Sequence, residues 1–178
     1  MGKRSLNARF GFIQSSKFKD YFSYLFSIFY KHNFCSSHFR TYSYFDKRTG
    51  KIYHSLNFWT KALPIFTIFY QQFYIDKVKI VPNDFSLLTP LALAHWIMQD
   101  GGKSSSGGLY LCTDCFSSED TIRIAQYMID KFNLKLTTPN SPGKKGHLRI
   151  YVPVSSMIKL RSLVLDHMHP TMFYKLGL

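Results

Sequence analysis

The sequence predicts an α+β fold of two similar halves, each with an antiparallel sheet. Three observations lead there. The order strand, helix, hairpin, helix occurs twice, offset by about 100 residues, as expected for an internal duplication. The segments placed in hairpins alternate apolar and polar residues with period two. The segments placed in helices carry apolar residues at three- and four-residue spacing.

In the first half, residues 1–86, Ala8 to Gln14 (ARFGFIQ) alternates like a strand. Ser15 and Ser16 offer an N-cap for a helix burying Phe18, Phe22, Leu25 and Phe29. A hairpin follows: HFRTYSYF, a turn from Asp46 to Gly50, then KIYHSLNFW. The closing helix is ALPIFTIFYQQFY, with Pro64 tolerated in its first turn. The second half, residues 87–178, begins with an additional helix over 88–101, which contains LAHWIMQDG (Leu93 to Gly101). GGLYLCTD is then a strand, and Ser117 or Ser118 caps a helix with Ile122, Ala125, Ile129 and Phe132 on its apolar stripe. LKLTTPNSPGKKGHLRIYV is the second hairpin and SSMIKLRSLVLDHM the closing helix. No acid precedes Ala8, and the first half has no counterpart of the 88–101 helix, so a helix is expected to be missing at the N-terminus.

Asp100 closes the extra helix, where the macrodipole disfavours a carboxylate by roughly 0.3–1 kcal/mol. Gly101 and Gly102 after it suggest a left-handed cap. The chain carries 23 Lys and Arg against 10 Asp and Glu, a net charge of +13, which points to a polyanionic partner. Aromatics make up 17% of the residues, enough to build a packed interior and so to exclude a disordered basic tail. With 17 Phe, 12 Tyr and five Ala, the composition favours AT-rich codons, as in an organelle-encoded protein, mitochondrial rather than chloroplast. No apolar run reaches the roughly 18 residues of a membrane span, the first ten residues lack a signal-peptide core, and Leu6 stands where a myristoylation signal needs Ser or Thr. Three cysteines give no disulfide framework, and Cys112, Cys115, His167 and His169 lack the paired spacing of a zinc site.

LAHWIMQDG resembles the signature of LAGLIDADG homing endonucleases and intron maturases, matching at Leu93, Ala94, Ile97, Asp100 and Gly101. IVPNDFSLLTP, GGKSS, DKRTGKIYHS and MHPTMFYKL resemble one branch of that family, so the likeness runs from Asn7 onward. The resemblance implies αββαββα halves related by a pseudo-twofold axis, with sheets forming a saddle over nucleic acid and the first signature helix absent. It also implies that Asp100 is the catalytic and metal-binding acid, holding Mg²⁺ if the protein is catalytic. With only one such acid, Asp100 is expected to be vestigial. His95 and Gln99 stand where the signature has small residues.

Arg9, Arg40, Tyr42, Tyr44, Lys47, Arg48, Lys51, Tyr53, Lys103, Lys135, Lys144, Lys145, His147 and Arg149 are the expected nucleic-acid-binding residues. Cations among aromatics suit phosphate contacts combined with stacking on unpaired bases. Lys103 and Arg9 are placed near this surface, His54 and His95 are read as packing residues, and Trp59 and Trp96 as core aromatics. RNA is the favoured partner, in a maturase-like or ribosomal role, and duplex DNA the alternative. Ribosomal proteins or a chain supplying the missing helix are the protein partners considered.

Overall fold

The structure, a computed structural model, describes residues 6–178; the reading of the extreme N-terminus as free of targeting signals falls partly on residues 1–5, outside those described. The chain forms two compact units, Met1–Gln72 and Phe73–Leu178.

The first unit is a three-stranded antiparallel sheet with strand order β1-β3-β2: β1 is Gly11–Ser15, β2 Arg40–Asp46 and β3 Lys51–Trp59. Register is fixed by the pairs Phe12–Phe58 and Gln14–Leu56 on one side and Tyr42–Ser55 and Tyr44–Tyr53 on the other. The hairpin reverses at 47–50, where Asp46 Oδ1 accepts from Arg48 N at 2.8 Å and Gly50 takes the left-handed φ of 65°. Helix α1 (Lys19–Lys31) follows a 3-10 turn at Ser16–Phe18, with Ser15 Oγ accepting from Lys17 N. Asp20 near its start and Lys31 near its end both suit the helix dipole. Its inner face buries Tyr21, Phe22 and Leu25 against Phe12, Leu56 and Phe58, while Phe18 and Phe29 are only half-buried. Phe29 instead stacks on Phe10, centroids 5.2 Å apart. Helix α2 (Pro64–Phe73) ends the unit and fully buries none of its residues.

The second unit starts with a short hairpin, β4 (Tyr74–Ile75) and β5 (Val78–Lys79), turned by Asp76 and Lys77 at positive φ as a two-residue hairpin requires. Helix α3 (Pro90–Asp100) is next, capped by Thr89 Oγ1 accepting from Ala92 N at 3.3 Å. Strands β6 (Gly101–Lys103), β7 (Leu109–Leu111) and β8 (Ile150–Val152) form the sheet in that order. Helix α4 (Ser118–Phe132) and helix α5 (Val154–Val164) complete the unit, with 3-10 turns at Leu165–His167 and Pro170–Leu176. The core joins Leu93, Ala94, Ile97 and Met98 of α3 to Leu109, Leu111, Ile150 and Val152 of the sheet and Met157, Leu160 and Val164 of α5. Arg161 fastens the C-terminal turn by donating twice to the Leu176 carbonyl, at 3.0 and 2.7 Å.

Four expectations are corrected. Helix α4 buries Thr121, Ile124, Ala125, Met128 and Phe132, leaving Ile122 exposed. Ala125 and Phe132 are buried as expected, but Thr121, Ile124 and Met128 complete the stripe, with Thr121 buried at little cost because its Oγ1 donates to the Ser117 carbonyl at 3.0 Å. The second hairpin is largely irregular: before β8 its first arm makes only isolated bridges, Thr137–Tyr151 and Asn140–Leu148. Pro139 and Pro142 remove two N–H donors from that arm. Gly101 is extended (φ −69°, ψ 139°), not left-handed. A Cβ there would lie 2.5 Å from the Ile97 carbonyl oxygen, so close approach, not φ, demands glycine. Finally, residues 73–86 pack with the second unit. Arg123 of α4 donates to the Val81 carbonyl and Asn83 Oδ1 at 3.1 and 3.0 Å and lies over Phe85, which in turn meets Tyr127.

Candidate nucleic-acid interface

In an antiparallel sheet, directly paired residues share a face. In the first unit, the face turned from α1 therefore carries Arg40, Tyr42, Tyr44 and Asp46 from β2; Lys51, Tyr53, Ser55, Asn57 and Trp59 from β3; and Gly11, Ile13 and Ser15 from β1. Its centre is a run of stacked phenols. Tyr42 and Tyr44 have centroids 6.4 Å apart, and Tyr44 and Tyr53 5.6 Å apart at 26° between planes. Arg40, Lys47, Arg48 and Lys51 are all exposed around them. Arg48 reaches Asp46 only at 3.7 Å and is 86% exposed, a pair of little consequence for stability.

Trp59 and His54 differ from expectation. Trp59 is no core aromatic: it shares the tyrosine face, 47% exposed, lying across Gly11 with the Arg9 guanidinium 4.6 Å from its ring centroid. The period-two run Lys51, Tyr53, Ser55, Asn57 already leads to it, and that was the signal available in the sequence. Phe45 and Ile52 occupy the opposite face but are 59% and 63% exposed, because the hairpin extends past the end of the core. His54 is likewise exposed there, its Nδ1 2.7 Å from Ser43 Oγ, rather than packed inside.

In the second unit the corresponding face holds Gly102, Tyr110, Tyr151 and Thr137 in register, with the Tyr110 and Tyr151 rings 4.7 Å apart. Tyr151 lies over Gly108 and its hydroxyl is 2.8 Å from Ser106 Oγ. Lys135, Lys144 and Lys145 are exposed and His147 is half-buried. Lys103 is displaced from the expected surface. It pairs with Leu109 on the core-facing side of the sheet and extends beside Gly177, because one residue of parity separates it from Gly102.

Arg149 is engaged within the chain. Its Nε and Nη2 donate to both oxygens of Asp114 at 3.0 and 2.7 Å, and Ser141 Oγ donates to Asp114 Oδ1 at 2.6 Å. The guanidinium, together with the Ser141 hydroxyl, holds the Asp114 carboxyl well below the usual carboxylate range. A depressed folded-state pKa adds stability that is present above the unfolded value, near 3.9 for Asp, and is lost as pH falls below it. Asp114→Asn is accordingly expected to cost about 1–2 kcal/mol at pH 7. In denaturant titrations, the gap between wild type and variant should close below about pH 4; a gap independent of pH would exclude the carboxylate as its source.

Asp100 is exposed at the end of α3. Lys175 Nζ donates to the neighbouring Gln99 carbonyl at 3.2 Å, so a cation already sits at this negative helix end. Burial lowers the Lys175 pKa, and Asp100 opposes that shift. Sequence reasoning missed Lys175, which approaches only through the C-terminal turn. Among the described residues no three His, Cys, Asp or Glu side chains gather in a way that could hold a metal. Asp100 offers one carboxylate, and these residues do not by themselves fit a complete Mg²⁺ site. His95 is half-buried in the same helix, its pKa lowered by burial and by His167.

Comparison with known proteins agrees with this geometry. The model of the LAGLIDADG DNA endonuclease family matches residues 1–160. The cytochrome b mRNA maturase bI2 of Saccharomyces cerevisiae is 33% identical over 89% of this chain and 39% of its own length. Its namesake in Debaryomyces hansenii is 30% identical over 98% of this chain and 66% of its own. The chain thus spans about two fifths and just under two thirds of these two relatives. The intron-encoded endonuclease ai4 of Dictyostelium discoideum is 30% identical over 86% of this chain and 99% of its own length. Among solved structures, the homing endonuclease I-WcaI bound to its DNA recognition sequence superposes with a TM-score of 0.86 at 24% identity, covering 99% of this chain and 78% of that one. With the signature acid at the end of α3 and the family model spanning both sheets, this chain belongs to the LAGLIDADG DNA endonuclease family.

Proposed function

We propose that this chain binds structured RNA through the exposed sheet faces of its two units, as a maturase-like factor in mitochondria, and that Asp100 is vestigial. The observation that carries this reading is the stacked run Tyr42, Tyr44 and Tyr53 among Arg40, Lys47 and Lys51. In a duplex the bases stack on one another and leave no face for a phenol, whereas loops and bulges of folded RNA present theirs. The cations contact phosphate without reading sequence. Similarity to two cytochrome b mRNA maturases and the AT-codon composition support the RNA partner and the compartment.

A second reading is a Mg²⁺-dependent homing endonuclease cutting duplex DNA, with a further signature-type helix and acid supplied by another chain. One observation favours it. Helix α5 of the second unit buries Met157, Leu160 and Val164 beside α3, whereas α2, the closing helix of the first unit, leaves Ile65, Ile68 and Phe69 exposed. That face suits an apolar helix.

Asp100 separates the two. Under the RNA reading, Asp100→Asn binds RNA co-purified with the native protein within about twofold of wild type, since one exposed surface residue contributes little. Mg²⁺-dependent cleavage of duplex DNA from the source genome, present in wild type and lost in Asp100→Asn, establishes the nuclease instead.

A further inference from the structure

The Arg9–Trp59 stack lies on the tyrosine face, at the opposite end of β3 from Tyr53. The Trp59 indole is braced from below: a Cβ on Gly11 would lie 2.4 Å from its ring, so glycine at position 11 is what lets the indole lie flat on the strand. Arg9, two residues earlier on the same chain segment, puts its guanidinium 4.6 Å from the ring centroid. The register Gly11–Trp59, Ile13–Asn57 places Ile13, itself 53% exposed, next to this platform, and Arg40 pairs with Asn57 from the other side. The ring is half open to solvent, between two arginines and an exposed isoleucine. A base with a free face can take the place of the Arg9 guanidinium over this flat ring, and the displaced cation then meets its phosphate.

We infer that Trp59, held flat by Gly11 and flanked by Arg9 and Arg40, is a stacking site for one unpaired nucleobase of a single-stranded RNA segment. This rests on the nucleic-acid reading of the sheet face and adds a position and a substrate class to it. Same-face side chains recur about every 6.6 Å along β3, so Trp59 lies roughly 20 Å from Tyr53. One segment of several unpaired nucleotides therefore crosses the face from the tyrosines to the tryptophan. Duplex DNA, with its bases stacked inside, meets only the arginines.

Fluorescence tests this directly, because the chain has two tryptophans and Trp96→Phe leaves Trp59 as the sole emitter when excitation is confined to wavelengths that tyrosine does not absorb. The probes are an unstructured oligouridylate of about ten nucleotides and a DNA duplex of equal length, a span within that of one single-strand-binding domain. Bound fraction is followed by the anisotropy of a dye on the nucleic acid. The expected result is quenching of Trp59 that tracks oligouridylate binding, no quenching by the duplex, and about tenfold weaker oligouridylate binding for Trp59→Ala. Trp59→Phe should recover most of that loss, which a defect in folding would not allow. Arg9→Ala, which leaves the indole in place, should weaken binding while preserving the quench. Tight oligouridylate binding with unchanged emission overturns the Trp59 site and leaves the RNA reading standing. Equal quenching by the duplex overturns the preference for unpaired bases. Failure to bind either probe overturns both.

Discussion

Phe22→Ala is expected to lower the stability of the first unit by about 3–5 kcal/mol, the range for removing a fully buried phenylalanine. Phe22 has no solvent exposure, and its ring meets those of Phe12, Phe26, Phe39 and Phe58 at centroid separations of 5.9, 6.5, 5.1 and 5.7 Å. Two of these contacts, to Phe39 and Phe58, are edge-to-face, the arrangement that the ring quadrupole favours. Deleting the ring loses its transfer free energy and leaves a cavity whose walls are rigid aromatics, which collapse poorly into the space. Phe45, 59% exposed on the hairpin, is the control: Phe45→Ala should change stability by no more than about 0.5 kcal/mol. Phe22→Leu should fall between the two. Denaturant unfolding followed by near-ultraviolet circular dichroism measures all three. Equal costs for Phe22→Ala and Phe45→Ala would refute the assignment of Phe22 as the centre of this core.

Local patterning in the sequence was a good guide wherever one element decided the outcome. Alternation in β2 and β3 revealed which residues share a face, since register in a half-buried sheet is fixed by parity. The Ser117 cap was recognisable because a side-chain oxygen before an apolar run satisfies the orphan N–H groups of a helix. Most of the failures have a different cause. Phe45 and Ile52 carry the pattern of a covered face but stay exposed, because the hairpin runs on past Ser15–Ser55, the last pair that β1 makes with β3. Arg149 reads as a free cation until Asp114 and Ser141, far apart in the chain, are brought to it. Lys175 meets the end of α3 only after the C-terminal turn has docked. Trp59 was assigned to the core by its residue type, although its parity with Tyr53 and Asn57 already placed it on the opposite face. Composition suggests burial for tryptophan on average, and position on the strand overrides that average.

Two double variants should divide the binding energy of the first-unit face into its stacking and ionic parts. Tyr44→Ala with Tyr53→Ala removes the closest-stacked phenols, and Lys47→Ala with Lys51→Ala removes two exposed ammonium groups at the hairpin end. Base–aromatic stacking is worth about 1–3 kcal/mol per base. The two rings touch each other, so their losses will not add fully. The tyrosine pair is therefore expected to weaken binding of an unstructured RNA by about 10- to 100-fold at fixed salt. Because no cation is removed, the slope of log K against log salt should not change. The lysine pair should do the reverse, reducing the magnitude of that slope by about 1.4, at roughly 0.7 per neutralised phosphate on a single strand. Its effect on affinity should fade as salt rises, whereas the tyrosine effect persists. The fold should survive both changes, because cross-strand pairs on an exposed face contribute only about 0.2–1 kcal/mol. The decisive measurement is a salt titration of RNA binding for wild type and both variants. If losing the tyrosines alters only the slope, or alters nothing, the face attracts polyanions without stacking on bases, and duplex DNA becomes as good a partner as RNA.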